Sequence, residues 1–141
     1  MAASNNADVF STWVSDLGER DVCVVYMCGE LDASSAPRFL SDIKHVVVGR
    51  RNVIMDVHLL EYADSTGVSA ILSTKNAIER AGYAMCLVGC HGLLTRILET
   101  IQVYDRFTRF DDVDSAIRQT ACWCKAPGDC SVFREYGTPQ P

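Results

Sequence analysis

The chain has 141 residues, 48% of them hydrophobic and 22% charged, and a formal net charge of -5. This length and composition predict one globular domain with its own core, so neither a metal nor a disulfide is needed to hold it together. The 13 lysines and arginines are scattered without forming a basic run, which excludes the electrostatic footprint of a nucleic-acid-binding protein.

The start of the chain predicts a leader followed by a β-hairpin. Residues 1–8 have neither the positive nor the apolar region of a signal peptide and are interpreted as a flexible leader. Two strand-like runs, 9–17 and 22–28, flank a short polar link that contains Gly18, which predicts the hairpin. Since no run approaches the roughly 20 apolar residues that cross a bilayer, we expect a cytoplasmic protein that does not contact membranes.

Helices and strands then alternate along the chain. Residues 34–37 form a helix-start signal, because proline is tolerated in the first turn, and an apolar stripe continues from there to Gly49. A β-branched run at 52–57 predicts a buried strand, and apolar residues at helical spacing predict a helix over 65–81 that ends before Gly82. The remaining predicted elements are a strand at 83–88, a helix from His91, an edge strand at 106–110 and a final helix after Asp111-Asp112.

This order predicts an α/β domain with a mixed sheet. Strands that alternate with helices are typical of right-handed crossovers and parallel strands, while the N-terminal hairpin adds an antiparallel edge. We expect about four helices packed on the sheet, within a domain that spans residues 9–120. From 121 to 141 the composition changes to a cysteine-containing tail, interpreted as an appendage outside the core.

A short polar segment, Asp64-Ser65-Thr66-Gly67, forms the start of the predicted helix, and residues 62–63 are assigned to the turn before it. An aspartate or serine at a helix start accepts a hydrogen bond from an orphan backbone N–H, which contributes about 1 kcal/mol. The same position suits a phosphorylated serine, because free N–H groups and the positive end of the helix dipole favour a phosphate. The segment alone leaves both interpretations open for Ser65.

Three parts of the chain together resemble the STAS domain, and more narrowly the bacterial anti-sigma-factor antagonists. They are the turn 29–32 after the hairpin, the stretch 56–67, and the order of helices and strands that follows. The resemblance covers residues 8–119 and implies that Ser65 is phosphorylated by an anti-sigma factor that is itself a serine kinase. It further implies a partner switch: the unphosphorylated antagonist binds the anti-sigma factor and frees the sigma factor, phosphorylation ends that binding, and a serine phosphatase restores it.

The residues beside the candidate phosphoacceptor are predicted to form a partner-binding surface. Asp64 caps the helix, Thr66 is a second candidate hydroxyl, and Gly67 lets another backbone approach closely. Glu30 and Asp32, on the turn after the hairpin, are expected at the same rim of the sheet, with carboxylates for a partner. A purely local role stays open for each: a hydroxyl bonded to backbone, a tolerated small residue, a solvated charge or a cap.

Two parts of the sequence depart from the family pattern. Ala63 stands where the family usually has a larger aliphatic residue, and His58-Leu59 replaces residues that are small or polar there. Both departures concern the packing of the loop, and His58 is interpreted as a solvated or structural histidine.

The seven cysteines carry a separate set of hypotheses. Their odd number argues against a complete disulfide framework, and Cys23, Cys28 and Cys86 lie in strand-like runs, where a free cysteine is usually a small buried hydrophobe. A regulatory disulfide among the other four is considered, as is a zinc site of the three tail thiolates completed by His91 or Cys90. The spacing matches no paired metal-ligand motif, so we predict free thiols and no metal. The candidate redox residues are Cys90, Cys122, Cys124 and Cys130.

Motifs of catalysis are missing from the sequence. No Gly-rich phosphate loop, metal-binding helix motif or nucleophile elbow occurs, and Ser65 has no evident general base. We therefore predict an interaction module without cofactor or enzymatic activity. Two alternatives stay open: a STAS-type sensor of a nucleotide or lipid-like ligand, and a redox sensor that relays its signal through protein–protein interaction.

Overall fold

The computed structural model describes residues 10–16, 22–49 and 51–119, which form a five-stranded sheet with helices on its faces. The strands are β1 (Phe10–Asp16), β2 (Val22–Leu31), β3 (Asn52–Ala63), β4 (Met85–Val88) and β5 (Thr108–Phe110). The helices are α1 (Ala36–Val48), α2 (Ser65–Arg80), α3 (Gly92–Thr100) and α4 (Val113–Arg118), and a 3₁₀ turn covers Tyr104–Arg106. The predicted leader, the hairpin link and the C-terminal tail lie outside the described residues.

The strands lie side by side in their chain order. β1 pairs with β2 in antiparallel orientation, and each later strand pairs parallel with its predecessor. Parallel neighbours need a crossover, and α1, α2 and α3 provide one for each of the three parallel steps. The predicted mixed sheet, with an antiparallel N-terminal edge and four helices, is confirmed.

The sheet carries a large apolar core on one face and a smaller one on the other. The larger core includes Phe39 of α1 and Ile71 of α2, packed against strand residues such as Met55. The smaller core includes Ile54, which packs on the α4 side of the sheet. Because successive strand residues face opposite sides, the mainly apolar run at 52–57 is buried on both faces, as its composition predicted.

The ends of β2 and β3 differ from the prediction, which placed turns there. β2 continues to Leu31 and β3 to Ala63, and the two strands stay paired to these residues. The pairing contains two register shifts, one of them at Gly29, whose φ of +100° is easily adopted only by glycine. A register shift breaks the alternation of buried and exposed side chains. The last residues of β3, which follow the shifts, therefore have the polar composition of a turn.

Later elements are shorter than predicted. α2 ends at Arg80, and Gly82 with a φ of +94° is the expected left-handed residue after the helix. β4 begins at Met85, two residues after the predicted start. β5 has only three residues because the 3₁₀ turn takes up the chain just before it.

Candidate functional site

The junction of β3 and α2 places Ser65 at the first position of the helix. Asp64 is the N-cap, with extended backbone, and its Oδ1 accepts a hydrogen bond from the Gly67 N–H at 2.9 Å. This bond satisfies one of the orphan donors of the first turn and stabilises α2 by about 1 kcal/mol. The side chains of Ser65 and Thr66 are exposed. Asp64 therefore has the geometry of a cap, and Ser65 presents its hydroxyl to solvent.

Gly67 lies against the end of β2. A Cβ atom at this position would lie 2.2 Å from the Leu31 carbonyl oxygen, so only glycine leaves room for the contact. The Asp64 N–H donates a hydrogen bond to the same oxygen at 3.3 Å. Sequence reasoning did not identify Leu31, because a glycine in a first turn indicates a close approach without saying which strand supplies it.

Glu30 and Asp32 lie on either side of Leu31, at the same end of the sheet. Glu30 is exposed and is paired with Tyr62 of β3. The Asp32 carboxylate accepts hydrogen bonds from the Ser34 hydroxyl at 2.7 Å and from its backbone N–H at 3.0 Å, and these bonds hold the pKa of Asp32 below its usual value. Asp32 thus stabilises the turn into α1, whereas Glu30 extends from the sheet.

We call this end of the sheet the rim and define it as residues 28–32 and 59–67. The rim contains four carboxylates and no lysine or arginine. Leu59 and Tyr62, which sequence reasoning did not assign to the site, add apolar surface with exposed fractions of 43% and 40%. An acidic surface with exposed apolar side chains suits a protein partner that carries basic groups. The residues singled out from the sequence that meet here are Glu30, Asp32, Asp64, Ser65, Thr66 and Gly67.

His58 lies on β3 before the rim and is paired with a buried acid. Its Nδ1 lies 2.7 Å from Oδ1 of Asp56, which is 5% exposed. Nε2 of His91 lies 2.9 Å from the His58 carbonyl oxygen, and Gly89 packs against the His58 Cβ. These contacts give His58 a structural role between β3 and the start of α3.

The described cysteines are free thiols in buried or half-buried positions. Cys23 and Cys86 are buried as predicted, whereas Cys28 and Cys90 are half-buried. Burial raises the pKa of the Cys23 thiol to about 11 and also raises the pKa of Cys90, so both are poorer sources of thiolate than an exposed cysteine. The other candidate redox residues, Cys122, Cys124 and Cys130, lie outside the described residues, so the disulfide and metal hypotheses stay predictions.

Two further properties concern only the part of the chain that the structure describes. No three His, Cys, Asp or Glu side chains are grouped there in a way that could hold a metal ion. No helix in these ranges is both long and apolar enough to cross a membrane.

Several solved structures share this fold. An anti-sigma factor antagonist from Mycobacterium paratuberculosis is 23% identical, with a TM-score of 0.70 over 81% of this chain and 96% of the other. The phosphorylated form of the Bacillus cell fate determinant SpoIIAA is 17% identical, with a TM-score of 0.62 over 77% and 98% of the two chains. The murine anion transporter Slc26a9 is 15% identical, with a TM-score of 0.69 over 85% of this chain and 24% of the transporter. These similarities establish a shared fold.

The family follows from the sequence match. No curated protein sequence matches the chain. The family model that matches is the STAS domain, over residues 16–116, a range that runs from the end of β1 into α4 and contains the whole rim. The chain therefore belongs to the STAS domain family.

Proposed function

We propose that this protein is an anti-sigma-factor antagonist that works by partner switching. Its unphosphorylated form binds an anti-sigma factor that is also a serine kinase, and so releases the sigma factor. Phosphorylation of Ser65 ends the binding, and a serine phosphatase restores it. The observation that carries the proposal is the exposed hydroxyl of Ser65 in the first turn of α2, directly after the Asp64 cap and at the acidic rim. The likeness to solved anti-sigma-factor antagonists supports it.

A phosphate on Ser65 is compatible with the folded domain. The side chain is exposed, so the added group meets solvent, and the start of a helix favours an anion. The contacts that seat α2 on the end of β2 come from Asp64 and Gly67 and do not involve the Ser65 side chain. We therefore expect phosphorylation to leave the fold unchanged and to act at the surface.

The acidic rim explains why a phosphate would end the binding. A phosphate adds about -1.5 to -2 charges, and the rim has no lysine or arginine of its own to pair with them. In a packed interface with the partner, the phosphate would add bulk and unpaired charge. Each loss of about 1.4 kcal/mol in binding free energy weakens binding tenfold.

The rim residues have different parts in this proposal. Glu30 and Thr66 contact the partner directly because their side chains are exposed. Asp32 and Asp64 shape the rim through the turns that they cap. Gly67 keeps α2 close to β2, which sets the position of the phosphoacceptor.

The first test is peptide mass spectrometry of the full-length protein recovered from its own cells, with and without phosphatase treatment. Ser69→Ala is the matched control for Ser65→Ala, since Ser69 is an exposed serine one turn further along α2. We expect a phosphatase-sensitive phosphate on Ser65 that is lost in Ser65→Ala and kept in Ser69→Ala. Its absence under every growth and stress condition contradicts the proposal, and a retained small molecule or an oxidised thiol would then favour a sensor.

The second test measures binding. The kinase captured by Ser65→Ala in a pull-down is purified and titrated with the wild-type antagonist before and after phosphorylation. We expect the phosphorylated form to bind roughly a hundredfold more weakly, a loss of about 2.8 kcal/mol. Equal affinities of the two forms would refute the switch, even if Ser65 carries a phosphate in cells.

A further inference from the structure

The two edges of the sheet differ in how they are protected. β5, at one edge, has only three residues and leads directly into α4. β1, at the other edge, has seven residues and, among the described strands, pairs only with β2. The outer N–H and C=O groups of an edge strand form a template for pairing with another chain. Among the strands that the structure describes, β1 is therefore the open edge of the sheet.

β1 also lacks the features that usually prevent pairing between sheet edges. Its sequence, FSTWVSD, contains no lysine, proline or glycine, and its one charged residue, Asp16, is the last of the strand and forms an ion pair with Arg51. Trp13 and Val14, in the middle of the strand, are 46% and 39% exposed on opposite faces. Aromatic and β-branched residues of this kind favour strand pairing.

We propose that two copies of this chain pair through β1, so that their five-stranded sheets join into one sheet of ten strands. The pairing is antiparallel about a twofold axis at Trp13. In this register the facing residues are Trp13 and Trp13, Thr12 and Val14, Ser11 and Ser15, and Phe10 and Asp16. No like charges face each other, because the two Asp16 side chains lie at opposite ends of the junction.

The aromatic side chains favour this register. Trp13 stacks on Tyr26 of β2, with ring centroids 5.3 Å apart and an interplanar angle of 15°. Tyr26 thus fixes one side of the indole, while 46% of Trp13 stays exposed. Pairing of the two copies extends this row to four rings across the junction, and cross-strand aromatic pairs are among the more favourable ones in sheets. A second copy is the occupant that this self-complementary strand fits, and the inference is independent of the proposed function.

Sedimentation equilibrium of the full-length protein in reducing buffer, over a series of concentrations, tests the dimer. We expect a species of twice the chain mass. For Val14→Lys we expect an association roughly tenfold weaker, because each dimer then carries two lysines at the junction and lysine on an edge strand opposes pairing. Val48→Lys is the matched control, since Val48 is 68% exposed at the end of α1 and its substitution leaves the dimer intact. Circular dichroism verifies that both variants are folded.

Fluorescence provides a readout at β1 itself. The chain has two tryptophans, so Trp123→Phe leaves Trp13 as the only tryptophan, and excitation at the long-wavelength edge of its absorption avoids the tyrosines. Dilution should shift its emission to longer wavelength as the dimer separates. A single-chain mass at every concentration overturns the proposal, as does a dimer that Val14→Lys leaves unchanged. A short-wavelength Trp13 emission in a monomer would also overturn it, because another segment of the chain would then cover β1.

Discussion

The starts of α2 and α4 use the same cap. Asp64 accepts a hydrogen bond from the Gly67 N–H at 2.9 Å, and Asp112 accepts one from the Ser115 N–H at 2.8 Å. Both aspartates have extended backbone, and in both helices the donor is the third helical residue. A capping aspartate is therefore not by itself a sign of function in this chain.

Two features distinguish the start of α2. The residue after the cap is the exposed Ser65, whereas α4 has the apolar Val113 at this position. The third residue is Gly67, which touches the Leu31 carbonyl, whereas α4 has the larger Ser115 there. The comparison shows that a local capping motif becomes a candidate site through its contact with a neighbouring strand, and three predictions test this difference.

The largest effect is expected at the third helical position. Gly67→Ala places a Cβ atom against the Leu31 carbonyl oxygen, which must shift, so we expect a loss of about 2–3 kcal/mol of stability. Ser115→Ala removes the exposed contacts of its hydroxyl with Arg118 and Asp112 and should stay within about 0.5 kcal/mol of wild type. Urea unfolding of the two variants measures both values, and equal losses would show that the contact with β2 is not specific to α2.

A smaller effect is expected from the caps themselves. Asp64→Ala leaves the Gly67 N–H without its partner and should cost about 1–2 kcal/mol, since α2 is a long helix in the main core. Asp112→Ala should cost less than Asp64→Ala, because α4 has only six residues. Asp64→Asn, which keeps a side-chain acceptor, is the control. The idea that α2 depends more on its cap fails if thermal unfolding ranks the two alanine variants in the opposite order.

The smallest effect concerns acid stability. Hydrogen bonds from the backbone N–H and the hydroxyl of Ser115 lower the pKa of Asp112 from its ordinary value of 3.8. A lowered folded-state pKa contributes stability that is present above the unfolded value and is lost as the pH falls through the folded value. Asp112→Asn cannot titrate, so its stability should fall slightly less than that of wild type between about pH 5 and pH 2. Asp114→Asn serves as the control, and an NMR titration in which the Asp112 pKa stays at 3.8 or above would contradict the argument.

Most of the architecture could be predicted because it follows local patterns. The apolar run at 52–57 and the stripe that begins at Val68 encode a strand and a helix through their own periodicity. The ends of β2 and β3 could not be predicted, because the register shift at Gly29 changes which side chains are buried. Cys28 is half-buried because its side chain lies on the face of the smaller core, near the end of β2.

The candidate site likewise contains residues that the sequence could predict and residues that it could not. Ser65 and its cap belong to one continuous segment, so the sequence alone could point to them. Leu31 joins the site only because it is paired with Ala63 across two parallel strands. Tyr62 joins the site because it is paired with Glu30 of β2. Contacts of this kind depend on tertiary structure, and no local pattern encodes them.

The unequal lengths of β3 and β4 have a consequence for motion. β4 pairs with β3 only from Val53 to Asp56, so the later residues of β3 are held by β2. Local opening of β4 and β5 would therefore expose to exchange those amide hydrogens of residues 53–56 that bond to β4, and would leave the pairing of residues 60–63 with β2 intact. Ser65 is thus anchored to the half of the sheet that stays paired when β4 and β5 open. The proposed kinase would therefore meet the same rim in the open and the closed state of that edge.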